Sequence, residues 1–367
     1  MSRPDYKRIL IVNPFGIGDV LFTTPLIRAF RRAYPNSYIA YLANRRTQDL
    51  VTSNNFIDEV FVYEKDEWKK LWENSKFSTI KDGVKFFARL KQRNFQVVVD
   101  LSLNSKFSFL FKMLGVKDRV GYNYKDRGRW LSKKIDLDGY EDKHVIEYYM
   151  DLLRFLKIPL DGPQMDLFLD PAYEKKTDKF LNSLGFISGK PLIAVVPGAG
   201  ESWGRNAFRK RWSVERFAEL SDKIIKELDA QVIIVGPKKE RRLARQMCTL
   251  MEGKPLDASG RTTLLELTAL LKKSDLIITN EGGPMHMAVA LGAKCIAFFG
   301  PVDEKVYGPY PKSPFFVVIK KDLSCRPCYH HFKLPGCRYK YKCLNDITVE
   351  EVYGKVLDLT GSKVKQK

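Results

Sequence analysis

Apolar residues along this chain come in two rhythms. Short continuous runs such as Ile9–Val12 alternate with longer stretches in which apolar positions recur every three or four residues. The first rhythm predicts buried strands and the second amphipathic helices. In the first half, strands are expected at Arg8–Asn13, Tyr38–Ala43, Glu59–Tyr63 and Gln96–Leu101. Helices are expected at Val20–Ala33, Trp68–Gln92, Lys106–Leu114 and His144–Leu156. Such alternation implies a parallel sheet covered on both faces. Asp118–Lys134 interrupts it with glycines, aromatics and many cations, and Ile158–Pro163 reads as a linker.

The second half restarts the pattern. Strands are expected at Leu192–Val196, Gln231–Val235, Leu276–Thr279, Cys295–Phe299 and Phe315–Ile319. Helices are expected at Val214–Leu228, Lys238–Met251, Leu264–Lys273 and Met285–Leu291, with Ser213 as an N-cap. Thr348-Val-Glu-Glu351 is a capping-box pattern that opens a last helix. The fold class is therefore α/β with two doubly wound, Rossmann-like lobes, in which ligands bind beyond the carboxyl ends of the strands. We divide the chain into an N-terminal lobe (1–170), a C-terminal lobe (171–345) and a final helix (346–367) expected to pack back on the N-terminal lobe.

Glycine turns at the strand ends carry the candidate chemistry. Pro14-Phe-Gly16-Ile-Gly18-Asp19 follows the first strand. It lacks the third glycine of a dinucleotide fingerprint and the Gly-Lys-Ser/Thr of a Walker loop. An anion site gains nothing from Asp19, whose charge repels phosphate. A carboxylate near a helix N-terminus is expected to be ionised and can accept a proton from an attacking hydroxyl. The other reading is that Asp19 only caps its helix. At Thr279-Asn-Glu281-Gly282-Gly283-Pro284-Met-His286, two glycines before a proline present several backbone N–H groups at a helix start. That arrangement suits a diphosphate, with His286 close by. Pro197-Gly198-Ala-Gly200 is followed by Arg205, Arg209, Lys210 and Arg211, cations that fit phosphate oxygens.

Charge changes the picture. With 63 Lys and Arg against 43 Asp and Glu, the net charge of +20 favours an anionic partner. The apolar run near the N-terminus is too short for a signal peptide, and no stretch approaches a membrane span. A cytoplasmic protein is expected, with any membrane contact peripheral.

Taken in order, "ILIVNPFGIGDVLFTTPLIRAFRRAYP", "VVPGAG", "KRWSVERFAEL", "VIIVGPKKE", "ASGRTTLLELTALLKKSDLIITNEGGPMHMAVALGAKCIAFFGP" and "CRPCYHHFKLPGCRYKYKCLNDIT" resemble glycosyltransferase family 9, the lipopolysaccharide heptosyltransferases. The tail is most similar to the heptosyltransferase II branch. The resemblance implies a GT-B fold with the site in an interlobe cleft. It also implies an inverting, metal-independent transfer of heptose from ADP-heptose to a lipopolysaccharide inner-core sugar. By position, Asp19 matches the catalytic base and Lys210 the lysine on the donor diphosphate. Gly282, Gly283, His286 and Glu281 match the diphosphate loop. Glu240 matches the acid on the ribose hydroxyls, with Gly198 and Thr262 on the nucleotide. Gly18, Arg127 and Arg129 are assigned to the acceptor. The family often carries Asp followed by Ser or Thr where this chain has Glu281-Gly282, which leaves the donor sugar open.

No cofactor is needed for this chemistry. Asp136-Leu-Asp138, a metal-type acid pair, reads as structural. Cys325, Cys328, Cys337 and Cys343 allow a structural zinc by ligand count, with reduced thiols or two disulfides as the other readings. The expected partners are the nucleotide sugar and the anionic lipopolysaccharide core at the inner face of the inner membrane, without nucleic acid. Trp68, Trp72, Phe86 and Phe87 are expected mainly in the core. Two other functions compete: a GT-B-fold nucleotide-sugar epimerase, and a zinc-containing nucleic-acid-binding protein.

Overall fold

The structure is a computed structural model that describes residues 4–64, 73, 76–200 and 203–361. Trp68 and Trp72 lie outside the described residues. The chain divides into two units, one of residues 1–140 and 145–163, the other of residues 141–144 and 164–367.

The first unit has strands β1 (Arg8–Val12), β2 (Tyr38–Ala43), β3 (Glu59–Val62), β4 (Val97–Asp100), β5 (Asp118–Tyr124) and β6 (Lys133–Leu137). Its helices are α1 (Ile17–Ala33), α2 (Gln48–Thr52), α3 (Lys76–Gln92), α4 (Ser105–Met113) and α5 (Val145–Phe155). The sheet runs β3-β2-β1-β4-β5-β6, and every pairing is parallel. Ile9, Leu10, Ile11 and Val12 are wholly buried, as a strand covered on both faces requires. The stretch expected to break the alternation instead supplies β5 and β6. Its polar edge hides the pattern, because Lys133 and Ile135 are only half-buried at the end of the sheet. Phe86 packs on the core beside Phe61, whereas Phe87 is exposed.

The second unit holds α6 (Ala172–Ser183), β7 (Leu192–Val196), α7 (Val214–Leu228), β8 (Gln231–Ile234), α8 (Arg241–Leu250), β9 (Leu256–Asp257), α9 (Leu264–Lys273), β10 (Leu276–Asn280), α10 (Gly283–Ala290), β11 (Cys295–Phe298), α11 (Glu304–Tyr307), β12 (Phe316–Ile319), α12 (Lys342–Asn345) and α13 (Val349–Thr360). Its parallel sheet is ordered β12-β11-β10-β7-β8-β9. Counted within each unit, both sheets follow the 3-2-1-4-5-6 order of doubly wound folds. Ser213 caps α7 by accepting the Arg216 N–H, and Thr348 caps α13 by accepting the Glu351 N–H. The final helix was expected to leave this core for the N-terminal lobe. Instead Val349, Val352, Tyr353 and Val356 complete it, beside Phe217 and Leu220 of α7.

In each sheet the strand order reverses between the first and fourth strands, so β1/β4 and β7/β10 mark the switch points. The turns at 13–19, 197–200 and 280–283 leave the carboxyl ends of three of these strands.

Candidate functional site: two strand-end turns at the switch points

In the N-terminal unit, α1 begins directly after the Gly16 turn. Asp19, its third residue, accepts the Gly16 N–H through Oδ2 at 3.1 Å. The capping reading of Asp19 is therefore realised. It occupies one acceptor position of a carboxylate that has about four. The Asp19 backbone is also held. Its carbonyl accepts from Asn13 Nδ2 at 3.0 Å and from Thr23 Oγ1 at 2.8 Å, and Asn13 is fully buried. Asn44, at the end of β2, donates to the carbonyls of Pro14 and Phe15 and so fixes the turn from the other side. The proline inside α1 is also accommodated. Pro25 cannot donate to the Leu21 carbonyl, and Thr24 Oγ1 takes that acceptor at 2.7 Å.

A buried phenol layer lies near Asp19. Its charge, added to burial as the main cause, raises the hydroxyl pKa values of Tyr41, Tyr140 and Tyr149, which therefore remain neutral. Gly18 is in the first turn of α1. Arg127 and Arg129 sit in the β5–β6 turn, where their guanidinium carbons lie 5.6 Å from the Tyr124 ring and 5.3 Å from the Trp130 ring. No described contact joins either arginine to Asp19.

In the C-terminal unit the predicted residues do come together. Gly282 precedes α10 with φ +155°, a backbone angle that side-chain-bearing residues rarely adopt, and a Cβ there would meet the Ala199 carbonyl at 3.5 Å. Pro284 follows in the first turn, where its missing N–H costs no helical bond. Glu281 forms an ion pair with Lys210, and both side chains are nearly inaccessible. The Lys210 ammonium also lies 4.6 Å from the Trp203 ring centroid. Lys210 thus offsets the charge of an acid placed beside the amide nest.

Glu240 approaches so closely that a Cβ on Gly198 would fall 1.8 Å from its carboxylate. Its Oε1 accepts the Ala199 N–H at 3.2 Å and Arg211 Nη2 at 2.8 Å. Of the four cations that follow the turn at 197–200, Lys210 and Arg211 therefore join this cluster. Arg209 departs from the expected phosphate role: its guanidinium donates to the Pro335 carbonyl and lies over Tyr341. Thr262 lines a pocket with Lys176, Thr177, Phe180, Arg261 and Glu266. The loop leading to it does abut the Glu240 loop, since Gly260 N–H donates to the Gly236 carbonyl at 2.8 Å.

His286 is buried on α10. Burial, then the charges of His144 and Lys210, hold its pKa well below the ordinary histidine value. It is a neutral imidazole beside a cation. His144 is stacked on Tyr310 at 4.5 Å between centroids and bonds through Nε2 to the Gly308 carbonyl. Burial lowers its pKa to about 4, and the Gly308 bond opposes that shift.

Three contributors were not singled out from the sequence: Asn280, Trp203 and His144. The Asn280 side chain donates to the carbonyls of Pro197 and Gly198 and accepts the Trp212 N–H, joining the turns after β7 and β10. Its place between a strand end and the Glu-Gly-Gly run was the available signal. His144 is 142 positions from His286, and local pattern carries no trace of that proximity.

The four late cysteines lie near one another. All four late cysteines are free thiols, and among the described residues no three His, Cys, Asp or Glu side chains converge as metal ligands. Cys337 is exposed, and its Sγ accepts the Tyr341 N–H. Burial pushes the Cys343 thiol up to about 11, and its three neighbours add to the shift.

Comparison with known proteins agrees with the geometry. The family model for glycosyltransferase family 9 (heptosyltransferase) matches residues 84–337. A lipopolysaccharide core heptosyltransferase of Haemophilus influenzae is 22% identical over 83% of this chain and 82% of its own. Lipooligosaccharide heptosyltransferase 2 of Campylobacter jejuni is 24% identical over 96% of this chain and 98% of its own. A family 9 glycosyltransferase structure from Veillonella parvula superposes with a TM-score of 0.79 at 23% identity, covering 99% of both chains. Escherichia coli ADP-heptose lipopolysaccharide heptosyltransferase II superposes with a TM-score of 0.75 at 22% identity, covering 96% of this chain and 98% of that one. These structural likenesses establish the GT-B type of fold. The family match selects sugar transfer over the epimerase and nucleic-acid-binding readings. This chain belongs to glycosyltransferase family 9, the heptosyltransferases, and is a glycosyltransferase.

Proposed function

We propose that this enzyme moves a heptose from ADP-heptose to an inner-core sugar of lipopolysaccharide, with inversion at the anomeric carbon and without a metal ion. The observation that carries the reading is the cluster at the C-terminal switch point. The amide nest of Gly282 and Gly283 at the start of α10 and the neutral His286 offer a diphosphate hydrogen-bond donors, with the Lys210 ammonium, paired with Glu281, beside them. Glu240, fixed by Arg211 and the Ala199 amide, supplies a carboxylate of the kind that holds ribose hydroxyls. The names of the relatives supply the donor and acceptor classes.

The chemistry follows from these parts. An acceptor hydroxyl attacks the anomeric carbon, its oxygen forms the new bond, and its proton passes to Asp19. The bond from that carbon to the phosphate oxygen breaks, and ADP leaves with the bonding electrons. Negative charge grows on the phosphate, where Lys210 and the nest amides act, each worth about 3 kcal/mol in such sites. Those donors cover the role a metal would take. One displacement with no covalent enzyme intermediate inverts the centre. Thr262 belongs to the adenine end of the donor, and Gly18, Arg127 and Arg129 to the acceptor.

Lipopolysaccharide core is assembled on a membrane, so the enzyme works in the cytoplasm, peripherally at the inner face of the inner membrane. Among the described residues no helix is long and apolar enough to cross a membrane.

Incubation with ADP-heptose and a soluble core oligosaccharide, followed by mass spectrometry, tests the reading. One added heptose is expected. Asp19→Asn is expected to lower turnover at least about a thousandfold, with ADP affinity within about twofold of wild type. Normal turnover by this variant would remove Asp19 as the base. Transfer only from another nucleotide sugar would overturn the donor assignment.

A further inference from the structure

A surface of the N-terminal unit combines exposed apolar groups with cations. On α4, Phe109 and Met113 are 45% and 69% exposed. Four residues apart, they lie one above the other on a single helix face. Trp130, from the β5–β6 turn, packs against Phe109 with ring centroids 5.2 Å apart. Lys112 Nζ lies 4.3 Å from the indole centroid and the Arg129 guanidinium carbon 5.3 Å from it. Lys106, one turn before Phe109, is exposed.

Single exposed apolar side chains need no explanation, but a contiguous group of them does. This one is set in strongly basic sequence: residues 104–134 carry nine Lys and Arg against two acids. Of those acids, Asp118 is paired with Lys133 at 2.9 Å, and Asp126 is exposed in the β5–β6 turn. An indole flanked by cations, beside a protruding Phe and Met, matches the layering of an anionic bilayer. The apolar groups suit the acyl boundary, the indole the headgroup level, and the cations the lipid phosphates.

We propose that Phe109, Met113 and Trp130, with Lys106, Lys112 and Arg129 around them, form the surface by which the enzyme docks on an anionic phospholipid bilayer. The proposal deepens the functional reading and rests on it for the presence of a membrane-bound acceptor. Vesicle binding tests it without any sugar transfer.

The experiment is co-sedimentation of the full chain with vesicles of phosphatidylcholine alone or with 30% phosphatidylglycerol, at about 0.1 M salt. Wild type should sediment with the anionic vesicles at least about tenfold more strongly than with the neutral ones. Phe109→Ser/Met113→Ser should lose about tenfold in anionic-vesicle binding. Lys112→Ala should lose about fivefold. Both positions are on the surface, and an unchanged melting temperature establishes that each variant is folded. The double variant should keep wild-type transfer to a soluble oligosaccharide.

Equal binding to neutral and anionic vesicles, or wild-type binding by the double variant, overturns the proposal. So does loss of transfer to the soluble acceptor, which would make this surface a saccharide site. Absence of transfer by wild type with retained anionic-vesicle binding would instead count against the heptosyltransferase reading and leave the docking surface standing.

Discussion

At the scale of single residues, the donor cluster depends on groups that act through their neighbours. Arg211 donates to Glu240 Oε1 and fixes the carboxylate assigned to the ribose. We expect Arg211→Gln to raise the donor KM about tenfold with kcat within about twofold, and Arg211→Lys to recover part of the loss. Steady-state kinetics over a range of donor concentrations gives that split, and a fall in kcat alone would contradict a positioning role. The histidines give a pH signature. His144 titrates near 4 when folded, against an ordinary value of 6.5. Its neutral form is favoured by the fold, so the unfolded chain binds more protons between those values. Stability is therefore complete above about pH 6.5 and declines as pH falls toward 4, by about 3 kcal/mol from this residue. Urea unfolding across that range should show the slope, and His144→Phe should reduce it, His286 contributing a slope of the same sign.

At the scale of elements, the backbone angle at the entry to α10 favours glycine. Gly282→Ala should cost about 1–3 kcal/mol, because its φ of +155° is strained for any residue with a Cβ, and should weaken ADP binding. Calorimetry of ADP binding alongside thermal unfolding measures both. This turn was readable in the sequence, since glycine and proline carry backbone geometry in their identity. The buried strands were readable for a similar reason: Leu192–Val196 is apolar throughout because both faces are covered. Less was visible at the edges. β5 and β6 were obscured because the last strand alternates half-buried and exposed positions. α6 was not among the expected helices because it buries only Thr177 and Leu181. The capping bond of Asp19 was legible as an alternative, but no local pattern showed that Asn13 and Thr23 would clamp its backbone.

At the scale of the whole molecule, two units of one topology carry different chemistry at equivalent switch points. The N-terminal turn presents an acid, and the C-terminal turns present amides beside the Lys210–Glu281 and Arg211–Glu240 ion pairs; under the proposed function these groups meet the donor's negative charge without a metal. Transfer should accordingly be unchanged by millimolar EDTA. A loss of activity restored by added Mg²⁺ or Mn²⁺ would refute that, and assay of product with and without chelator decides it. The side chain of Asn280 carries a consequence for redesign. Because one amide clasps the Pro197 and Gly198 carbonyls while its oxygen holds Trp212, the loops behind β7 and β10 share a single fastener. A new donor preference grafted onto either loop alone would inherit a mismatched clasp. Under the proposed donor assignment, the smallest exchangeable module for nucleotide-sugar choice is the pair of loops together with Asn280.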